Sequence, residues 1–161
     1  MRISELFPEN PIVKELEKYP KIAWDFDMTL VDGPASEACH KFIHDHPEIE
    51  HYILTARSSN ELMSSMFPEL AAYPTPLTRA NFKEVLTSDH EKHVEFQRSR
   101  HDRQIGKLTG PLTPIEIYEF TIKGKRCHDL GIPVLVDDNI KRSEIGCKKY
   151  GIKIIDPINL L

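Results

Sequence analysis

The chain has 161 residues, of which 40% are hydrophobic and 29% charged, and its formal net charge is −4. This length corresponds to a single domain, residues 1–161, which can bury a core without a disulfide or a structural metal. The mild acidity disfavours a surface that binds nucleic acid along its whole length. No window approaches the roughly 20 apolar residues of a membrane span, so we expect no membrane partner.

The cysteines and the N-terminus indicate the same compartment. Cys39, Cys127 and Cys147 are an odd number at no metal-ligand spacing, which favours buried thiols in a reducing environment. Residues 1–11 carry acidic side chains where a signal peptide needs an apolar run. We therefore expect a cytoplasmic protein.

Apolar periodicity predicts the elements of the first half of the chain. The run over residues 21–27 is typical of a strand buried on both faces, with carboxylates at its end. The other predicted elements are a helix over 12–19, a helix from Ser36 to about residue 44, a strand over 51–55, and a helix capped by Ser58 or Ser59 that ends at Pro68.

The last third of the chain shows a strand–helix rhythm. The predicted elements are a strand over 115–121, a short helix over 124–130, a buried strand over 133–136, a helix over about 141–150 and a strand over 152–155. Strands that alternate with helices imply parallel pairing and right-handed crossovers. The sequence therefore predicts an α/β fold with a mainly parallel sheet.

Residues 70–113 do not follow this rhythm and are too long for a plain connection. We interpret them as a small, mainly helical insertion, with one helix over about 80–86 and a polar run over 90–107. The insertion is either a solvated helix pair that packs over the sheet or an element that contacts substrate. Basic and acidic residues alternate in the polar run, which favours a solvated helix face over a nucleic-acid track.

Carboxylates follow two of the predicted buried strands. Asp25 and Asp27 end the first, and Asp137 and Asp138 end a later one. In an open parallel sheet the ligand crevice lies outside the carboxyl ends of the strands. Four carboxylates at one edge would repel one another, and a hard divalent cation such as Mg²⁺ relieves this repulsion. The sequence thus indicates a magnesium-assisted site for an anionic substrate.

Hydrogen-bond donors for such a substrate occur at the same predicted edge. Thr55 ends the second strand, Arg57 lies just beyond it, and Lys123 lies where the predicted strand 115–121 gives way to a helix. A hydroxyl and cationic side chains are donors that a phosphoryl group requires. A carboxylate can attack in phosphoryl transfer and form an aspartyl-phosphate.

A second group of candidate metal ligands, Cys39, His40, His44 and His46, carries less weight. A zinc site needs three or four converging ligands, and nothing else in the sequence completes one. We interpret these histidines as solvent-facing residues of an amphipathic helix.

Four stretches resemble, in order and spacing, the four motifs of the haloacid dehalogenase (HAD) superfamily of phosphohydrolases: residues 25–31 (DFDMTLV), 53–55, Lys123 and 134–138. The resemblance covers residues 21–156 without the insertion. It implies a Rossmann-like, three-layer α/β/α fold in which the strands of the first and fourth motifs are neighbours. The few residues between the first two motifs, 30–54, imply a small-capped or capless and rather open site.

The resemblance also implies roles for individual residues. Asp25 would be the nucleophile and Asp27 the general acid and base, while Thr55 and Lys123 would hold the phosphoryl oxygens. Mg²⁺ would bind the Asp25 carboxylate, the Asp27 backbone carbonyl and Asp138, with Asp137 in support. Lys125 is an alternative to Lys123 as the lysine of the third motif. Because Asp137 and Asp138 are adjacent, the resemblance leaves open which of them ligates the metal.

The function expected from the resemblance is a Mg²⁺-dependent phosphomonoesterase that acts on a nucleotide or another small phosphorylated metabolite. The match is closest to the 5′-nucleotidase-like branch and to the phosphatase part of viral polynucleotide kinases. Nucleic-acid ends are therefore an alternative substrate, for a 3′-phosphatase, and a non-catalytic HAD-like binding protein is a further alternative. A signalling receiver domain is disfavoured, because its paired acids precede the phosphorylated aspartate.

Overall fold

The computed structural model describes residues 9–161 of the chain. Residues 1–8, to which the prediction about a signal peptide mostly refers, lie outside the described residues. Within the described range, each helix is too short or too polar to cross a lipid bilayer.

Five strands in the described range form one parallel sheet with the order β3-β2-β1-β4-β5. Their bounds are β1 Lys21–Trp24, β2 Glu50–Thr55, β3 Glu84–Thr87, β4 Val134–Val136 and β5 Lys153–Ile155. The strands β1 and β4 are neighbours at the centre of the sheet. The predicted α/β fold with a parallel sheet is confirmed.

Helices cover both faces of this sheet. Their bounds are α1 Pro11–Leu16, α2 Ser36–Asp45, α3 Asn60–Ala71, α4 His90–Gln104, α5 Pro114–Asp129 and α6 Ile140–Tyr150, with short 3₁₀ helices at Arg79–Asn81 and Pro157–Leu160. Side chains alternate across β1, so Trp24 joins one buried cluster with residues of α1, α2 and α3. Ala23 joins the other, with Cys127 of α5 and Cys147 of α6. The molecule therefore has the three layers of a Rossmann-like fold.

The prediction of a strand over 115–121 is wrong, because this range belongs to α5. The helix predicted over 124–130 is confirmed as far as Asp129, but it begins ten residues earlier, at Pro114. The alternation of apolar and acidic residues over 115–121 resembles a strand, but Ile117 is 48% exposed. Thr113 and Glu116 form a capping box, and Pro114 occupies the first turn. These three residues are strong signals of a helix start.

The range 70–113 contains a strand of the main sheet as well as helical structure. The prediction of a helix over about 80–86 is wrong: one 3₁₀ turn is followed by β3, an edge strand that pairs with β2 alone. The helix α3 also continues beyond Pro68 to Ala71. The polar run 90–107 forms α4 as far as Gln104.

The histidines of α2 differ in their surroundings. His40 is fully buried, and its ring nitrogens lie 2.7 Å from the Leu30 carbonyl oxygen and 2.9 Å from that of Thr75. The prediction of a solvent-facing histidine is wrong at this position, because His40 bonds the loop after β1. His44 is exposed, as predicted.

Candidate active site

A tight turn after β1 holds the first motif in shape. The N–H groups of Thr29, Leu30 and Val31 all lie within 3.3 Å of the Phe26 carbonyl oxygen, to which they donate. Met28 has φ +63°, a backbone conformation that is uncommon for residues other than glycine. The chain therefore reverses sharply between Asp25 and the residues that follow Asp27.

Packing against this turn requires a glycine at position 33. A Cβ added to Gly33 would lie 2.1 Å from the Met28 carbonyl oxygen. Ser36, at the start of α2, donates to the Thr29 carbonyl oxygen at 2.8 Å and accepts from the Gly33 N–H at 2.9 Å. These contacts fix the loop relative to α2.

The Lys123 ammonium links the first and fourth motifs. Its Nζ lies 2.8 Å from Asp25 Oδ1 and 2.8 Å from Asp137 Oδ2, and its side chain is largely buried. Lys123 reaches these carboxylates from the middle of α5, not from the end of a strand as the sequence predicts. Lys125 is half exposed and pairs with Asp129 on the outer side of the helix, so the structure brings only Lys123 to the carboxylates.

The two aspartates after β4 have different surroundings. Asp137 is fully buried: its Oδ2 also accepts from Ser143 Oγ at 2.6 Å, and its Oδ1 accepts from the Asn139 N–H at 2.9 Å. Asp138 is exposed, and its Oδ1 lies 3.4 Å from Thr29 Oγ1 and its side chain close to that of Asp25. The hydrogen bonds of Asp137 make it a positioning residue, and Asp138 keeps oxygens available for a ligand.

Thr29 joins the two motifs on the side opposite Lys123. Its Oγ1 lies 3.5 Å from Asp25 Oδ2 and 3.4 Å from Asp138 Oδ1, and it accepts from the Asp138 N–H at 3.3 Å. Thr29 belongs to the first motif, but its residue type alone predicts no role for it there. The sequence feature that could have indicated this role is the Thr29 hydroxyl, two residues after Asp27.

Burial and neighbouring charges set the ionisation of this cluster. Burial, together with the charge of Asp137, raises the pKa of Asp25 to about 8 in spite of the nearby Lys123 ammonium. Burial acts against the charge of Asp137 too, but Lys123 and the hydrogen bonds to its carboxylate lower its pKa overall. Burial opposes the charge of Lys123, while Asp25 and Asp137 raise its pKa.

The carboxylates fit a divalent cation. One oxygen each from Asp25, Asp137 and Asp138 lie within 4.8 Å of one another. When Asp25 is ionised, the three carboxylates carry two more negative charges than the single ammonium of Lys123 offsets, and a divalent cation would supply this missing positive charge. Hard oxygen ligands at this spacing, with one exposed member, suit an ion that keeps several waters, as Mg²⁺ does.

A small cavity lies beside the lysine, with Thr55 on its wall at the end of β2. The Thr55 side chain is buried, and its Oγ1 accepts from the Arg57 N–H at 3.1 Å. Three residues that the sequence analysis missed also line this cavity: Glu119, Arg126 and Arg142. Glu119 is buried, and its Oε1 has no hydrogen-bond partner among the described residues.

Arg57 contacts the second aspartate of the first motif. Its guanidinium donates to both Asp27 oxygens, at 2.8 and 3.1 Å, and to Glu69 of α3 at 2.8 Å. It also lies over the Phe26 ring. Asp27 is 53% exposed, so this pair lies at the mouth of the site. Arg57 is thus near the carboxylates, with its donors directed at Asp27 and Glu69.

Comparison of the chain with protein-family models, curated proteins and solved structures gives no match.

Proposed function

We propose that this chain is a Mg²⁺-dependent phosphomonoesterase of the haloacid dehalogenase type, which acts through an aspartyl-phosphate on a nucleotide or another small phosphorylated metabolite. The observation that carries the proposal is the buried Asp25 carboxylate, 2.8 Å from Lys123 Nζ, next to Asp138 at the carboxyl edge of a parallel sheet. The adjacency of β1 and β4 supports it further, because the HAD resemblance requires that adjacency.

The reaction divides between the two aspartates of the first motif. An Asp25 oxygen attacks the phosphorus, the bond to the ester oxygen breaks, and the leaving alkoxide takes a proton from Asp27. Water then attacks the aspartyl-phosphate, Asp27 accepts the proton of that water, and inorganic phosphate leaves. Arg57 donates one hydrogen bond to each Asp27 oxygen in the structure, which holds the carboxyl group in place and leaves a lone pair on each oxygen for proton transfer.

The other residues of the site would bind the phosphoryl group and the metal ion. Lys123 and the Thr55 hydroxyl would donate to phosphoryl oxygens, and Asp137 holds the Lys123 ammonium in position. Asp25 and Asp138, with the Asp27 backbone carbonyl, are the residues that would hold Mg²⁺. When bound, the ion supplies positive charge that offsets the charge of the phosphoryl oxygens.

The test is turnover of 4-nitrophenyl phosphate in the presence of Mg²⁺. We expect activity in the full chain, loss of activity on chelation with EDTA and recovery when Mg²⁺ is restored. The variant Asp25→Asn should lose at least about a thousandfold in turnover, because its amide cannot attack phosphorus. The matched control Asp129→Asn, which changes an exposed aspartate of α5, should keep normal activity.

Circular dichroism and thermal unfolding show whether Asp25→Asn stays folded. Near-normal turnover in this variant would remove Asp25 as the nucleophile. A folded wild-type chain that hydrolyses no phosphate ester with any divalent cation would favour the non-catalytic alternative.

A further inference from the structure

A cleft of about 570 Å³ lies between α4, α5 and the start of α6. Its volume lies within the range of sites that bind a small molecule of nucleotide size. Part of its wall is apolar and is formed by Phe96, Leu112 and Phe120. The cleft thus offers both room and an apolar surface for a ring.

Four cationic side chains line this cleft: Arg100, Arg103, Lys141 and Arg142. Two of them are already neutralised, because Arg103 pairs with Glu116 at 2.6 Å and Arg142 with Glu119 at 3.2 Å.

The other two cations are free to bind an anion. Among the residues that the structure describes, no carboxylate forms an ion pair with Arg100 or Lys141, and both are exposed. A locally positive surface on a chain with a net charge of −4 is complementary to an anion.

The cleft borders the candidate active site. Asn139, on its wall, directly follows Asp138, and Arg142 lines both the cleft and the small cavity beside Lys123. Phe120 precedes Lys123 on α5 by three residues, which corresponds to a rise of about 4.5 Å. The cleft therefore adjoins the position at which Lys123 would hold a phosphoryl group.

We propose that the cleft binds a second, non-scissile anionic group on the leaving group of the substrate. The substrate class is then a small phosphomonoester with an apolar or planar body and a second phosphate, such as a nucleoside bisphosphate. Arg100 and Lys141 contact the second phosphate, and the wall at Leu112 and Phe120 contacts the body. This assignment rests on the proposed phosphomonoesterase function.

The test compares substrates that differ by one phosphate. We expect kcat/KM for a nucleoside 3′,5′-bisphosphate to exceed that for the 3′- and 5′-monophosphates by at least about tenfold. In the double variant Arg100→Gln, Lys141→Gln this preference should disappear, mainly through a higher KM, while turnover of 4-nitrophenyl phosphate stays unchanged. The matched control is Arg98→Gln, Lys148→Gln, which removes one exposed cation from each of the same two helices outside the cleft.

The outcomes separate this proposal from the proposed function. Hydrolysis of 4-nitrophenyl phosphate without preference for the bisphosphate, or an equal loss in the cleft and control variants, would overturn the cleft assignment alone. A higher kcat/KM for a 3′-phosphorylated oligonucleotide than for the bisphosphate would overturn it in favour of a nucleic-acid end. Absence of turnover of every ester would overturn the proposed function and the assignment with it.

Binding provides a readout that does not depend on turnover. Calorimetric titration of the Asp25→Asn chain with the bisphosphate should show saturable binding that weakens about tenfold or more in the added Arg100→Gln, Lys141→Gln background. Unchanged affinity in that background would contradict the assignment.

Discussion

Asp137 and Asp138 are adjacent in the sequence, yet the structure gives them opposite surroundings. Asp137 accepts hydrogen bonds from Lys123, Ser143 and the Asn139 backbone inside the protein. Asp138 extends towards solvent beside Thr29. The sequence left open which of the two ligates a metal, because that choice depends on Ser143, six residues further along the chain.

We predict different effects of neutralising each aspartate. Asp137→Asn should lower the free energy of unfolding by about 3–5 kcal/mol, because it removes one partner of a buried ion pair. Asp138→Asn should leave stability almost unchanged in the absence of divalent cations but should abolish the rise in melting temperature that we predict Mg²⁺ to cause in the wild-type protein.

Urea unfolding and thermal unfolding with and without Mg²⁺ measure both effects. A full Mg²⁺ response in Asp138→Asn would show that Asp138 is not a ligand of the ion. A loss of stability in Asp137→Asn no larger than that in Asp129→Asn would contradict the positioning role of Asp137.

Among the elements, α5 matters most for the site because it carries Lys123. It packs on α6 through backbone contact: a Cβ added to Gly124 would lie 2.2 Å from the Gly146 carbonyl carbon. A Cβ added to Gly146 would lie 2.6 Å from the Thr121 carbonyl oxygen. Glycine at both positions allows the two helices to approach this closely, which sets the depth of α5 over the sheet.

The substitution Gly124→Ala tests this contact. Alanine favours a helix over glycine by about 1 kcal/mol, so propensity alone predicts a more stable protein. We expect the opposite, a net loss of about 1–3 kcal/mol, because the methyl group forces the helices apart. Turnover of 4-nitrophenyl phosphate should fall as well, since Lys123 moves with α5.

The control is Lys125→Ala on the exposed side of the same helix, which should change stability by less than about 0.5 kcal/mol and leave turnover normal. A Gly124→Ala chain as stable and as active as the wild type would contradict the close packing of α5 and α6.

Two elements, α5 and β3, differ from the elements that the sequence predicts, and each difference has a physical cause. In α5, the alternation of apolar and acidic residues from Ile115 favours a strand, whereas the capping box of Thr113 and Glu116 favours a helix. The segment is helical, as the capping box indicates. In β3, only four residues form an edge strand, and none of them is buried. Its identity depends on pairing with β2, a contact distant in sequence that local periodicity does not reveal.

For the whole molecule, the sequence was sufficient for the fold class and for three of the strands that end at the carboxyl edge, β1, β2 and β4. These strands are recognisable because each buried run stops at a polar residue: Asp25 follows β1, Thr55 is the last residue of β2, and Asp137 follows β4. The cationic cleft was not predictable. It requires α4, α5 and α6 to lie side by side, and residues from all three helices face it.

Acid should weaken the folded state through the ion pair that joins α4 to α5. Hydrogen bonds from Arg103, and from Thr113, hold the pKa of Glu116 at about 2, although burial acts in the opposite direction. A carboxylate with a lowered pKa in the folded state stabilises above its unfolded pKa of 4.5, and this contribution is lost as the pH falls towards 2.

The variant Glu116→Gln isolates this contribution. We expect its free energy of unfolding to be about 1–3 kcal/mol lower than that of the wild type at pH 7. The difference should shrink as the pH falls below 4.5, as measured by urea unfolding at a series of pH values. A difference that stays constant from pH 7 to pH 3 would show that the carboxylate charge is not its source.

The bare backbone contact between α5 and α6 has a mechanical consequence. Helices that touch without intervening side chains have little freedom to slide, so we expect Lys123 and the segment that begins with Asp137 to move together. The facing helix, α4, is followed by a connection with Gly106 and Gly110 in left-handed conformations. We therefore expect bulkier molecules to be accommodated by a pivoting of α4, with the spacing between Lys123 and the aspartates preserved.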